Sequence, residues 1–115
     1  AQTFAAQGAN VVLNGLGSAA EIDRLRARIA ADCGVTARYF CADLSQRAEI
    51  DAMMAAAIDE FGAVDILVNN AGIQHVALVD EFPVEKWNAI LAINLSASFH
   101  TVRLALPAMK ARKWG

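Results

Sequence analysis

The sequence predicts an α/β protein whose helices cover both faces of a doubly wound parallel sheet. Three observations predict it. Short apolar runs alternate with longer segments of helical periodicity along the chain. Runs such as Val11-Val12-Leu13 and Ile66-Leu67-Val68 are continuously apolar, as strands covered on both faces are. The segments between them are long enough for the crossover helices that parallel neighbours require.

Residues 1–7 read as the end of a helix, with Gly8 as its C-terminal cap. Residues 10–14 (NVVLN) form a first strand. Ser18-Ala-Ala-Glu21 has the form of a capping box and starts a helix. Ile22, Leu25, Ile29 and Cys33 share one face of it, and Gly34 ends it. Residues 36–42 (TARYFCA) form a second strand. Ser45 is placed to cap the next helix. Its stripe is Ile50, Met53, Met54, Ala57, Ile58 and Phe61, and Gly62 ends it. Residues 64–69 (VDILVN) form a third strand. A loop leads to Pro83 as the first residue of a last helix, which runs to about residue 112 with Pro107 as a kink or early end.

The order is thus helix, strand, helix, strand, helix, strand, helix. An opening helix followed by a buried parallel strand implies a strand before it. The chain therefore reads as an internal fragment of one domain, residues 1–115, and its end at "KARKWG" is equally abrupt.

Composition narrows the function classes. The 115 residues suit one small domain, 57% of them hydrophobic, with a net charge of -2. No basic patch exists for nucleic acid. No apolar run reaches the ~18 residues of a membrane span, and no leader peptide is expected. Cys33 and Cys41 fit no metal spacing and read as reduced, buried thiols of a cytoplasmic protein.

Gly15-Leu-Gly17-Ser-Ala-Ala20 follows a strand and opens a helix. It matches the loose pattern G-x-G-x-x-G/A, with Asp43 roughly twenty residues on. The plainer reading is a turn that needs two glycines. The upstream helix favours that reading, because it makes residues 10–14 the second strand of the fold.

The stretches "GANVVLNG", "ADLS", "FGAVDILVNNAG" and "WNAILAINLSASFHTVRLALPAMKAR" resemble, in order and spacing, the short-chain dehydrogenase/reductase family. The resemblance covers the whole chain. The run "NNAGIQHVALVDEFPVEKW" is similar in particular to the branch that oxidises D-3-hydroxybutyrate to acetoacetate with NAD. The resemblance implies a Rossmann-type sheet ordered 3-2-1-4 across its first half, here a partial fold lacking the first strand and the C-terminal half. It places the glycine-rich phosphate loop before residue 1 and the catalytic Ser, Tyr and Lys after residue 115. Without the first strand, residues 64–69 should expose unpaired backbone, and the chain should not hold the native sheet.

Individual residues carry two readings each. Asn69 and Asn70 end an apolar run, where asparagine is poorly suited to a strand. The plain reading is an Asn-rich turn. The resemblance makes Asn70, Ala71 and Gly72 line the adenosine ribose, while Asn69 ties the strand to its neighbours. Asp43 is either a helix-flanking acid or, by resemblance, an acceptor for the adenine amino group with Leu44 beside the ring. Asn14, Gly15 and Leu16 stand where the family selects its cofactor. No acid is there for a ribose 2′-hydroxyl and no basic residue precedes Arg24, so the reading is NAD. Asn94 interrupts the apolar run Ile90, Leu91, Ile93, Leu95, Phe99. It is either a buried Asn bonding its own helix or, by resemblance, the family's catalytic Asn, which distorts the helix to support a proton relay. Gln74 would bond the substrate carboxylate of a small hydroxy or keto acid. His75 reads as a surface or hydrogen-bonded residue. The last helix, residues 83–112, is apolar nearly all round, which the resemblance explains as the interface of a homotetramer. The rival functions are another short-chain reductase, such as an NADPH-dependent 3-oxoacyl reductase, and a non-catalytic nucleotide-binding protein of the same fold.

Overall fold

The computed structural model describes all residues, Ala1–Gly115. They form two compact units, Ala1–Ala42 and Asp43–Gly115.

The first unit contains helix α1 (Gln2–Ala5), strand β1 (Val11–Asn14), helix α2 (Ala19–Cys33) and strand β2 (Ala37–Phe40). The strands pair in parallel, Val11 against Ala37 through Asn14 against Phe40. The crossover through α2 is the connection that parallel pairing demands. Ala5, Val11, Ile29 and Ala37 are the buried core, with Leu13, Ala30, Cys33 and Val35 packed on it. Small alanines let helix and strand approach closely. Leu25, expected on the inner face of α2, is exposed instead, because the unit has no further strand for that end of the helix to cover. Ser18 occupies the N-cap but makes no side-chain cap bond, so the expected capping box does not form. Gly34 ends α2 in the left-handed region, where it bonds Ala30.

The second unit contains helix α3 (Arg47–Phe61), helix α4 (Val84–Leu91), a π-helical segment (Ala92–Ser96) and helix α5 (Ala97–Arg112). The stripe of α3 is buried as its periodicity predicts, through Ile50, Met53, Met54 and Ala57. Ala97, Thr101 and Ala105 are the buried residues of α5, which packs on α3. Gln46 rather than Ser45 is the N-cap of α3. The N–H of Ser45 donates to Asp43 Oδ1, so this serine belongs to the preceding turn. Pro83 is the N-cap of α4 rather than its first residue, and its carbonyl accepts from Lys86 and Trp87. Pro107 lies inside α5 without ending it.

Residues 64–69, read as a third strand, form none, as expected where the first strand is missing. They pair with no strand, and the only sheet has two strands, β1 and β2. Ile66 and Val68 are exposed. Strand propensity alone does not make a strand, since the ladder needs a neighbouring backbone. The thiols also depart from expectation: both are free, but Cys33 is half-buried and Cys41 exposed. Finally, the continuous helix Val84–Arg112 is long and apolar enough, by length and composition alone, to cross a membrane, contrary to the reading of the linear sequence. That reading counted apolar runs. The helix keeps its apolar average across Arg103 and Lys110, while its hydrogen bonds to residues 69 and 73 tie it into a folded unit.

Candidate functional site

In the first unit the predicted residues cluster at the carboxyl end of β1. Asn14 clasps the backbone of Ala42 twice. Its Nδ2 donates to the carbonyl at 3.2 Å and its Oδ1 accepts from the N–H at 2.9 Å. The side chain thus extends the ladder past Phe40, where backbone pairing stops. The Tyr39 hydroxyl donates to the Gly15 carbonyl at 2.7 Å. The Cys41 thiol beside it, and then desolvation, push the Tyr39 phenol above its ordinary value of 10.0. Tyr39 therefore stays a protonated donor at neutral pH. Between these ties the turn is open. Leu16 is 72% exposed, and a side chain at Gly15 would meet nothing within 4 Å. Neither Gly15 nor Gly17 takes a positive φ, which agrees with an ordinary strand-to-helix turn. The supports from Asn14 and Tyr39 escaped the sequence reading, because each depends on which residues stand opposite across the ladder.

In the second unit Asp43 leads into α3. Its N–H donates to Glu49 Oε2 at 2.7 Å, and its Oδ1 accepts from Ser45 at 2.8 Å. Its helix-flanking role is therefore present, and Oδ2 remains unengaged. Leu44 is half-buried beside it.

Asn69 to His75 run alongside the π segment. The Thr101 hydroxyl, buried at 4% exposure, donates to Asn69 Oδ1 at 2.8 Å, with the carbonyls of Ala97 and Ser98 also in reach. Asn69 does tie its segment down, but to a helix rather than to neighbouring strands. Asn70, Ala71 and Gly72 are exposed. A Cβ on Gly72 would lie 3.6 Å from Asn94 Oδ1.

Asn94 sits at the centre of the π segment, where the Ala97 N–H bonds the Ala92 carbonyl five residues back. It is exposed, and it does not bond its own helix as the plainer reading had it. Its Oδ1 accepts from the Ile73 N–H and its Nδ2 donates to the Ile73 carbonyl, both at 2.9 Å. The next residue, Gln74, is exposed, and no contact within the chain holds its amide. The His75 ring meets Phe82 edge-on, with centroids 5.3 Å apart, and Phe82 meets Trp87 likewise at 6.4 Å. The aromatic spacing held no signal for this ladder, since a loop brings its members together.

An apolar hollow of about 280 Å³, lined by residues such as Ile66, Val102 and Met109, touches this region only through Asn69. None of the candidate ligand-contacting residues lines it, so it is not the candidate site.

In the first unit Leu16 offers an exposed apolar side chain at the turn after β1; in the second, Asp43 keeps an unengaged carboxylate oxygen and Gly72 an exposed backbone, groups of the kind that the adenosine half of a dinucleotide takes. Parallel strands joined by a crossover helix, with open turns at their carboxyl ends, place the chain among the dinucleotide-fold proteins. It belongs to the short chain dehydrogenase family, which it matches over residues 1–115. It is 55% identical to the D-beta-hydroxybutyrate dehydrogenase of Cupriavidus necator, over 100% of this chain and 44% of that protein. It is 49% identical to the enzyme of the same name from Rhizobium meliloti, over 100% of this chain and 45% of the relative. The chain thus spans under half the length of these relatives. Among solved structures, a metagenomic short-chain oxidoreductase in complex with NADP superposes with a TM-score of 0.90 at 30% identity, covering 99% of this chain and 51% of the other. L-sorbose reductase from Gluconobacter frateurii, complexed with NADPH and L-sorbose, gives 0.89 at 28%, covering 96% and 42%.

Proposed function

We propose that this chain is part of a cytoplasmic oxidoreductase that moves a hydride between D-3-hydroxybutyrate, giving acetoacetate, and NAD. The observation that carries the reading is the 55% identity, across the whole chain, to a D-beta-hydroxybutyrate dehydrogenase. When bound, NAD supplies the hydride acceptor. Asn70, Ala71 and Gly72 line the adenosine ribose, Asp43 accepts from the adenine amino group with Leu44 beside the ring, and Leu16 belongs to the turn that selects the cofactor. The absence of any basic residue before Arg24 favours NAD over its 2′-phosphorylated form. Gln74 offers neutral N–H donors to the carboxylate of the small hydroxy or keto acid. Asn94 acts as a catalytic residue: its side chain fixes the loop, and its π-distorted backbone presents a carbonyl for proton relay. Helix 83–112 joins four copies into a homotetramer.

The test is the complete protein, assayed for NAD reduction with D-3-hydroxybutyrate, its L enantiomer and NADP. Turnover with the D acid and NAD, falling at least tenfold in Gln74→Ala, is expected if one charge-assisted hydrogen bond of roughly 1.5–3 kcal/mol is lost. A second reading, an NADPH-dependent reductase, draws on the solved structures described with NADP and NADPH. It prevails if NADPH drives reduction of a 3-oxoacyl substrate and Gln74 is indifferent.

A further inference from the structure

Gln74 stands in a loop that should not hold it still. Residues 70–81 are all exposed and contain no helix or strand. Val76 and Val79 project almost fully into solvent, and Leu78 is largely exposed. Such a segment samples many backbone conformations, and a ligand that needed one of them would lose affinity in selecting it.

Two anchors interrupt this freedom, one on each side of Gln74. Before it, both polar groups of the Ile73 backbone are taken by Asn94. After it, the His75 ring rests edge-on against Phe82, at 88° between planes, and Phe82 rests edge-on against Trp87, at 89°. The edge-to-face geometry sets ring positive edge against ring negative face. Phe82 is half-buried and lies at the start of α4, and Trp87 is one turn into that helix. The ladder therefore fixes the loop to α4, as Asn94 fixes it to the π segment.

Resting on the function proposed above, we infer that His75 is a positioning residue for Gln74. Held by Phe82 and through it by Trp87, it orients the Gln74 amide toward the carboxylate of a small anionic substrate. His75 contributes one ring of an edge-to-face pair. Any flat ring of similar size at position 75 does the same work.

The test uses the complete protein with His75→Ala, His75→Phe and Phe82→Leu. The inference expects His75→Ala to raise KM for D-3-hydroxybutyrate about tenfold by releasing the loop, with kcat and the KM for NAD little changed. His75→Phe restores the wild-type KM. Phe82→Leu reproduces the defect, and the double variant His75→Ala/Phe82→Leu is no worse than either alone. Amide hydrogen exchange at residues 73–76 rises in His75→Ala and is normal in His75→Phe, a readout that requires no turnover. Phenylalanine failing to rescue both KM and exchange overturns the inference and points to chemistry by the imidazole. A loss confined to kcat also overturns it. If the wild-type protein does not oxidise the acid while exchange follows the expected pattern, the substrate assignment fails and the aromatic anchor stands.

Discussion

The amide of Asn94 pairs with both polar groups of the Ile73 backbone, donating to the carbonyl and accepting from the N–H at 2.9 Å each. A side chain in a helix thereby substitutes for the strand that a loop residue lacks. This pairing connects the π distortion, about twenty residues on in the chain, to the Asn-Asn-Ala-Gly stretch and Gln74 through one contact in space.

Asn94→Asp separates the two bonds. Its carboxylate still accepts from Ile73 but cannot donate to the carbonyl, which it repels. We expect kcat of the complete protein to fall about 100-fold, the scale of a lost proton-transfer element, with hydrogen exchange at Ile73 raised. Wild-type kcat in this variant would remove Asn94 from the mechanism.

Gly72→Ala isolates the cofactor. The added methyl meets nothing in the chain nearer than 3.6 Å, an ordinary contact. Stability should therefore hold within about 0.5 kcal/mol, while KM for NAD rises severalfold. A large drop in thermal midpoint would show that the glycine serves the fold, not the ligand.

Thr101→Val keeps the shape and deletes the buried hydroxyl that Asn69 accepts from. Asn69 is exposed and can turn to water, so the loss is the roughly 1 kcal/mol of one hydrogen bond. Urea denaturation should report that loss with an unchanged slope, and Thr101→Ser should recover most of it. A neutral valine would mean that water replaces the hydroxyl.

Helix α5 buries Ala97, Thr101 and Ala105, yet Phe99, Val102 and Leu106 of α5 and Leu95 of the π segment are exposed and continue a stripe from Trp87 and Leu91. Covering one such side chain gains roughly 1.5–3 kcal/mol. A lysine in place of Phe99 should therefore reduce the assembly measured by light scattering. An unaltered mass would remove this stripe from the proposed tetramer contact.

Tyr39→Phe should loosen the turn at Leu16 without changing the pH dependence of NAD binding between pH 6 and 8, since the raised phenol pKa keeps the group neutral throughout that range. The sign also sets the alkaline limit. The neutral form is favoured in the folded state, so its contribution is complete below pH 10 and declines as pH rises through the shifted value. A titration of NAD affinity near pH 7 that disappears in the variant would contradict this.

The sequence disclosed what periodicity and punctuation carry. The α3 stripe ending at Gly62 is buried as read, and β1 and β2 pair in parallel across α2. It did not disclose relations that require a partner across space. Ser18 and Glu21 form the pattern of a capping box without its bonds. At the candidate site, the oddity of Asn94 in an apolar helix was legible as a polar residue among carbon, yet its partner Ile73 was not. His75 and Phe82 meet because a loop folds back, and no periodicity in the sequence announces that contact.

One extra residue per turn has a mechanical meaning for the long helix. Because an α-helix advances about 100° per residue, the wide turn at Ala92–Ser96 acts as a phase shifter between α4 and α5. Upstream, the helix is clocked to the loop that bears Gln74; downstream, it is clocked to α3. Deleting a single residue from the wide turn would straighten the rod and rotate one half against the other. Each half can thus keep its own meshing, and substitutions that retune the substrate loop leave the gearing against α3 undisturbed.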